Sequence, residues 1–112
     1  EGVPEVKSDL GPETPDFIVY STDTLIDIAQ SGEIFYEGKI FAGFIVSKYE
    51  DESVSVSKGY YNGKLHGKTT AYYPNGQVMC SRPYVNGEKH GHHMGFYSNG
   101  QKKFHYYFSC HF

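Results

Sequence analysis

At 112 residues, with 38% apolar and 21% charged positions, the chain suits one small domain whose core stays limited unless repeated units share it. No run of about 18 apolar residues exists, which excludes a helical membrane span. The net charge of -3 conceals a split: residues 1 to 57 carry 12 acidic and 3 basic groups, whereas residues 58 to 112 carry 1 acidic group, 7 basic groups and all six histidines.

The aromatic content of 17%, with 11 Tyr, 8 Phe and no Trp, favours strands and an interior built on rings. Residues 1 to 16, with Pro4, Pro12, Pro15 and five acidic side chains, read as an extended or disordered leader. The chain opens at Glu1 without Met, as a processed product would, so its compartment stays open. Residues 17 to 112 then form the expected β domain. Phe17-Ile18-Val19-Tyr20 suits a first strand. From Ser21 to Gln30 two readings compete. Thr22 or Asp23 caps a short helix, or Tyr20 to Ile26 is a worn half-repeat with Asp23-Thr24 at its turn. The second is preferred, because Leu25, Ile28 and Ala29 supply barely one helical turn of apolar face.

The clearest pattern runs from Tyr60 to Gly100. Four Asn-Gly pairs recur at Asn62-Gly63, Asn75-Gly76, Asn86-Gly87 and Asn99-Gly100, and alternate members are 24 residues apart. Asn-Gly is the strongest short hairpin signal, because a type I′ turn needs positive φ at both central residues. Two clear units follow, about 58 to 81 and 82 to 105, with a partial strand reaching 112. A degenerate unit spans about 34 to 57. There Phe35-Tyr36-Glu37-Gly38-Lys39 matches Tyr60-Tyr61-Asn62-Gly63-Lys64, Gly43 matches Gly67, and Tyr49 matches Tyr73. The expected fold is all-β, a single-layer curved antiparallel meander of hairpin repeats. Gly67 and Gly91 make no hairpin and are expected to admit the aromatic ring of a neighbouring unit. Of Tyr72-Tyr73 and Phe96-Tyr97, one ring each is expected to stack on its equivalent one unit away. Cys80 and Cys110 are offset by six residues in this frame, which gives no reason to expect a bridge.

The string Tyr-x-Asn-Gly-x-x-His-Gly followed by Tyr-Tyr-x-Asn-Gly resembles the membrane occupation and recognition nexus (MORN) repeat, in the bacterial variant of YwqK-family antitoxins. The resemblance covers residues 60 to 100 well and 35 to 52 fairly. It implies an elongated single-layer sheet that scaffolds proteins, with lipid binding and toxin neutralisation as further implied roles. Glu37, Asp51 and Glu52 depart from the pattern at turn positions and suit the first unit to a polar cap.

Chemistry-bearing clusters are few. His90, His92 and His93 with His66 and His105 suggest a metal site, but His66 and His90 share one repeat position, and the spacing secures no third zinc ligand. No nucleophile elbow, phosphate-cradling loop or carboxylate pair beside a histidine occurs. The reading is therefore non-enzymatic, with no catalytic residue, cofactor or metal. Lys58, Lys64, Lys68, Arg82, Lys89, Lys102 and Lys103 interleave with tyrosines, so a polyanion is conceivable. Anionic lipid fits this better than nucleic acid, and the acidic half repels both. The charge split favours protein contact: a complementary partner, or self-association through complementary ends or open sheet edges. The expected contact residues are the exposed aromatic-ladder members Tyr61, Tyr73 and Tyr97, with Lys64, Lys89, His66 and His90 along the rim.

Overall fold

The computed structural model describes residues 13–108. Among them there is no helix. Eleven strands follow in order: β1 (Ile18–Tyr20), β2 (Ile26–Ile28), β3 (Ile34–Tyr36), β4 (Lys39–Ile40), β5 (Gly43–Lys48), β6 (Val54–Tyr61), β7 (Lys64–Tyr72), β8 (Val78–Val85), β9 (Glu88–Lys89), β10 (Gly91–Phe96) and β11 (Lys102–Phe108). They build two open sheets. The larger has the order β1-β5-β6-β7-β8-β10-β11, with β9 also on β8; the smaller is β2-β3-β4.

Two features differ from the expected antiparallel single layer. First, β1 lies parallel to β5, with Ile18 opposite Phe44 and Tyr20 opposite Val46. The chain leaves β1, builds the small sheet, and returns beside β1 in the same direction; a parallel pair requires such a crossover. Second, the small sheet supplies a second packing surface. Val19, Ile34 and Phe41 are buried there, with Ile26, Tyr36, Ile45 and Tyr60 packed around them. Phe41 sits between the rings of Phe17, Tyr36 and Tyr60, with centroids 5.9, 6.2 and 5.9 Å away. The proposed first unit is thus divided: its Phe35-Tyr36-Glu37-Gly38-Lys39 hairpin sits in the small sheet, and β5 sits in the large one. The segment from Ser21 to Leu25 is a turn, in which the Asp23 carboxylate accepts the Leu25 N–H at 2.9 Å.

The turns fall into two kinds. Glu37-Gly38, Asn62-Gly63 and Asn86-Gly87 have positive φ at both positions and close two-residue loops, as a type I′ turn demands. Asn75-Gly76 and Asn99-Gly100 do not, which corrects the expectation of four alike. Each belongs to a three-residue loop in which only the glycine has positive φ. In the first, the Tyr73 N–H donates to Gln77 O and the Gly76 N–H to Tyr73 O; in the second, Tyr97, Gln101 and Gly100 repeat both bonds at 2.8 Å. Asn75 and Asn99 each accept the N–H two residues on, at 2.9 Å. Asp51 does the same for Ser53, and Glu52 occupies the position of the two glycines with φ 75°.

Gly67 and Gly91 also differ from expectation. Both have φ near +80° where the ladders are irregular, and a side chain there would meet Thr14 Oγ1 at 3.1 Å and Pro83 Cγ at 3.2 Å, not an aromatic ring. Rings press instead on Gly43, Gly59 and, most tightly, Gly95, where a Cβ would be 2.2 Å from Phe104.

Candidate interaction surface

The larger sheet ends in a two-faced ribbon. In β10 and β11, His92 pairs with Tyr107, His93 with Tyr106, and Gly95 with Phe104. Side chains alternate across a strand, so Phe104, Tyr106 and Phe108 share one face with His93, while His105 and Tyr107 share the other with His92. On that second face His92 Nδ1 and His105 Nε2 are 2.8 Å apart, and the Tyr107 ring lies 4.9 Å from His92.

The first face extends inward across the sheet. His93 is 1% exposed, and its ring stands edge-on to Tyr84 and Phe108 at 5.5 and 4.8 Å. A carbonyl oxygen only accepts, so the 2.8 Å contact to Pro83 O means that Nε2 carries the proton. Nδ1 is then the bare nitrogen, and it is buried without a partner. Burial holds His93 below the ordinary imidazole range; the Pro83 bond opposes this, and the nearby charges of Arg82 and Lys89 add to it. The Arg82 guanidinium lies 5.3 Å from the Phe104 ring centre, and Lys89 Nζ lies 5.1 Å from that of Phe108. Together Arg82, Lys89, His93, Phe104, Tyr106 and Phe108 line a cavity of about 310 Å³.

The residues expected at a contact surface separate into two groups. Tyr61, Lys64, Lys89 and Tyr97 are exposed. Tyr61 closes β6, with its ring 5.8 Å from His66, and Lys103 Nζ lies 5.6 Å from the Tyr97 ring. The other three are tied into the sheet. His66 is 6% exposed, so it is not on a rim, and its Nδ1 accepts the Asn86 N–H at 3.2 Å. His90 is half-buried and donates its N–H to Pro83 O at 3.1 Å. Tyr73 is half-buried and donates its hydroxyl to Phe96 O at 2.8 Å. Tyr49 does the same to Tyr72 O, so tyrosine hydroxyls on carbonyls link successive hairpins where ring stacking was expected.

Among the described residues no group of three His, Cys, Asp or Glu side chains is arranged to hold a metal ion. Cys80 is a half-buried free thiol in β8; Cys110 and His111 lie outside the described residues, as does the leader before Glu13. Sequence reasoning placed Arg82 among the scattered cations and passed over Phe104 and Phe108. The available signal was the alternation Phe104-x-Tyr106-x-Phe108 opposite Gly91-x-His93-x-Gly95, which puts three rings on one side over a glycine-lined strand. Among the described residues no helix is long and apolar enough to cross a membrane. No protein-family model, curated protein or solved structure matches the chain.

Proposed function

We propose that the chain is a MORN-like hairpin-repeat module that binds a protein partner through the aromatic, basic end of its larger sheet, without catalysing a reaction. The repeat reading is supported by the two turn kinds recurring 24 residues apart and by matching Tyr49 and Tyr73 hydroxyl bonds. The observation that carries the binding reading is the edge strand β11. It pairs on one side only among the described residues, with β10. Tyr106 and Tyr107 on it are 61% and 63% exposed, and Lys102 and Lys103 precede them. Large exposed rings beside an open edge are what partner surfaces and strand addition use. Tyr61, Lys64, Lys89 and Tyr97 extend the contact surface, while His66, Tyr73 and His90 hold the turns that present it.

Affinity capture from the source cell at about 0.1 and 0.5 M salt tests this. The expected result is a protein recovered by the parent chain, weakened by salt, and lost with the double variant Tyr106→Ser, Tyr107→Ser. Recovery of nothing but lipid, with flotation on acidic liposomes, would overturn the reading in favour of a peripheral membrane role.

A further inference from the structure

One cross-strand cluster has no part in the cavity. His92 on β10 and His105 on β11 share the opposite sheet face, both rings are exposed, and His92 Nδ1 lies 2.8 Å from His105 Nε2. Two bare nitrogens would repel, so one of them carries a proton there. Met94 completes a triangle. It stands directly opposite His105 in the ladder of β10 and β11, and alternation puts its side chain on the face of His92, two residues before it. Side chains directly opposite have Cβ atoms about 4.5–5.5 Å apart, and an unbranched Met with three rotatable bonds spans such a gap. The Tyr107 ring, 4.9 Å from that of His92, flanks the pair. Lys103 shares this face by alternation, but its ammonium is drawn to the Tyr97 ring, 5.6 Å from its centre.

We propose that His92, His105 and Met94 form a binding site for a copper ion, with two imidazole nitrogens and one thioether as ligands. The donor set selects the metal. Hard ions such as calcium and magnesium take several carboxylate or carbonyl oxygens, and residues 58 to 112 contain one acidic group. Imidazole suits zinc, nickel and copper alike, whereas a thioether is a soft donor that favours Cu(I). Two nitrogens each about 2.0 Å from one ion are about 2.8–3.5 Å apart for angles of about 90–120°. The observed 2.8 Å lies within that range, and two exposed rings are free to open it. On binding, the ring that donates in the histidine contact moves its proton to its other nitrogen. Both facing nitrogens then turn to the metal as neutral tautomers, and no net proton is released. All three donors are neutral, so any position left open on the ion takes water or a donor from another molecule. The site goes beyond the protein-partner reading and does not depend on it.

The test supplies Cu(I) to the full chain under ascorbate without oxygen, buffered by a chromogenic Cu(I) chelator, and follows side chains by NMR. The chain has two methionines, so the methyl spectrum holds two Met signals. That of Met94 is expected to shift together with the His92 and His105 ring signals, while that of Met79 moves less. Half-completion of the Met94 shift should need at least about tenfold more free Cu(I) in His105→Gln. Because the two imidazoles act as one chelate, His92→Gln should lose as much, and the double variant little more than either alone. Met94→Leu, close in volume, should raise the copper needed to shift the His rings. An unchanged amide spectrum reports that a variant folds, and where one does not, the other two carry the test. Uptake by the cysteine thiols alone, with all three ligand signals unmoved, overturns the proposal. Movement of the two His rings without the Met94 methyl, or equal titrations of the parent and the His variants, overturns it too.

Discussion

The two ends of the larger sheet are stabilised differently. At the β1–β5 end, the small sheet folds over the strands and encloses Val19, Ile34 and Phe41, at 3%, 8% and 2% exposure. At the β8–β11 end nothing comparable covers the described strands: the largest fully buried side chain is a histidine, and the Phe104 ring rests on Gly95. The first end is acidic and two-layered, with a cavity of about 290 Å³ where the small sheet meets β6 and β7; the second is basic, its described strands form a single sheet, and it borders the cavity of about 310 Å³. On the proposed function, the difference separates stability from recognition. A sheet needs one well-covered end to hold its register, and the other can then leave aromatic surface and unpaired strand edge for contact.

The most direct way to break this contrast is to remove one ring from each end. Phe41→Ala deletes the centre of a four-ring cluster and should lower unfolding stability by about 3–5 kcal/mol, as buried Phe truncations do. Phe104→Ala, from a half-buried site, should cost roughly 1–2 kcal/mol. Urea denaturation of both variants measures the difference; equal losses would show that the uncovered end carries as much of the fold as the enclosed one.

The buried histidine sharpens the comparison through pH. His93 has its folded value held below the usual 6.5, chiefly by burial. The unfolded chain therefore takes up the proton first as pH falls. The contribution of His93 is complete above about pH 6.5, declines as pH drops below it, and levels off once the folded form also protonates. His93→Gln keeps a donor for Pro83 O and removes the titration. The variant should lose less stability than the parent between pH 7.5 and 5.5, read from urea midpoints. Parallel pH curves for the two would sink the assignment.

Strand class and most turn positions were legible in the sequence, because Asn-Gly and Asx-type turns are set by residues adjacent in the chain. Asn62-Gly63 and Asn86-Gly87 form type I′ turns for that local reason. Asn75 and Asn99 use their side chains differently, since a three-residue loop needs positive φ only at its last residue. The parallel pairing of β1 was not legible: it depends on where the chain lands after a crossover, which no local pattern encodes. The cavity was hidden for the same reason. Arg82 and Phe104 are separated by two loops in sequence and meet because β8, β10 and β11 lie side by side. Tyr73 was expected to be exposed, but its hydroxyl reaches a carbonyl 23 residues on, a contact that depends on the register between hairpins.

The smallest expected effect concerns the turns where the two ends differ in chemistry. Glu37 has φ 53° at the position that Asn62 and Asn86 fill elsewhere, and Glu52 has φ 75° where Gly76 and Gly100 stand. A left-handed conformation costs a residue such as Glu about 1–2 kcal/mol, whereas Asn tolerates it better and glycine adopts it freely. Glu52→Gly removes that cost but gives up about 0.5–1 kcal/mol to the greater freedom of unfolded glycine. It also loses the exposed 3.1 Å ion pair with Lys48, worth little in water. The balance favours the variant by about 0.5 kcal/mol, and Glu37→Asn should gain a similar amount without the glycine entropy. Because the sites lie on separate turns, the double variant should show roughly the sum in its thermal midpoint. A loss of stability in both would mean that the two glutamates are held by interactions that Asn and Gly cannot replace, and that the acidic turns are part of how the covered end is closed.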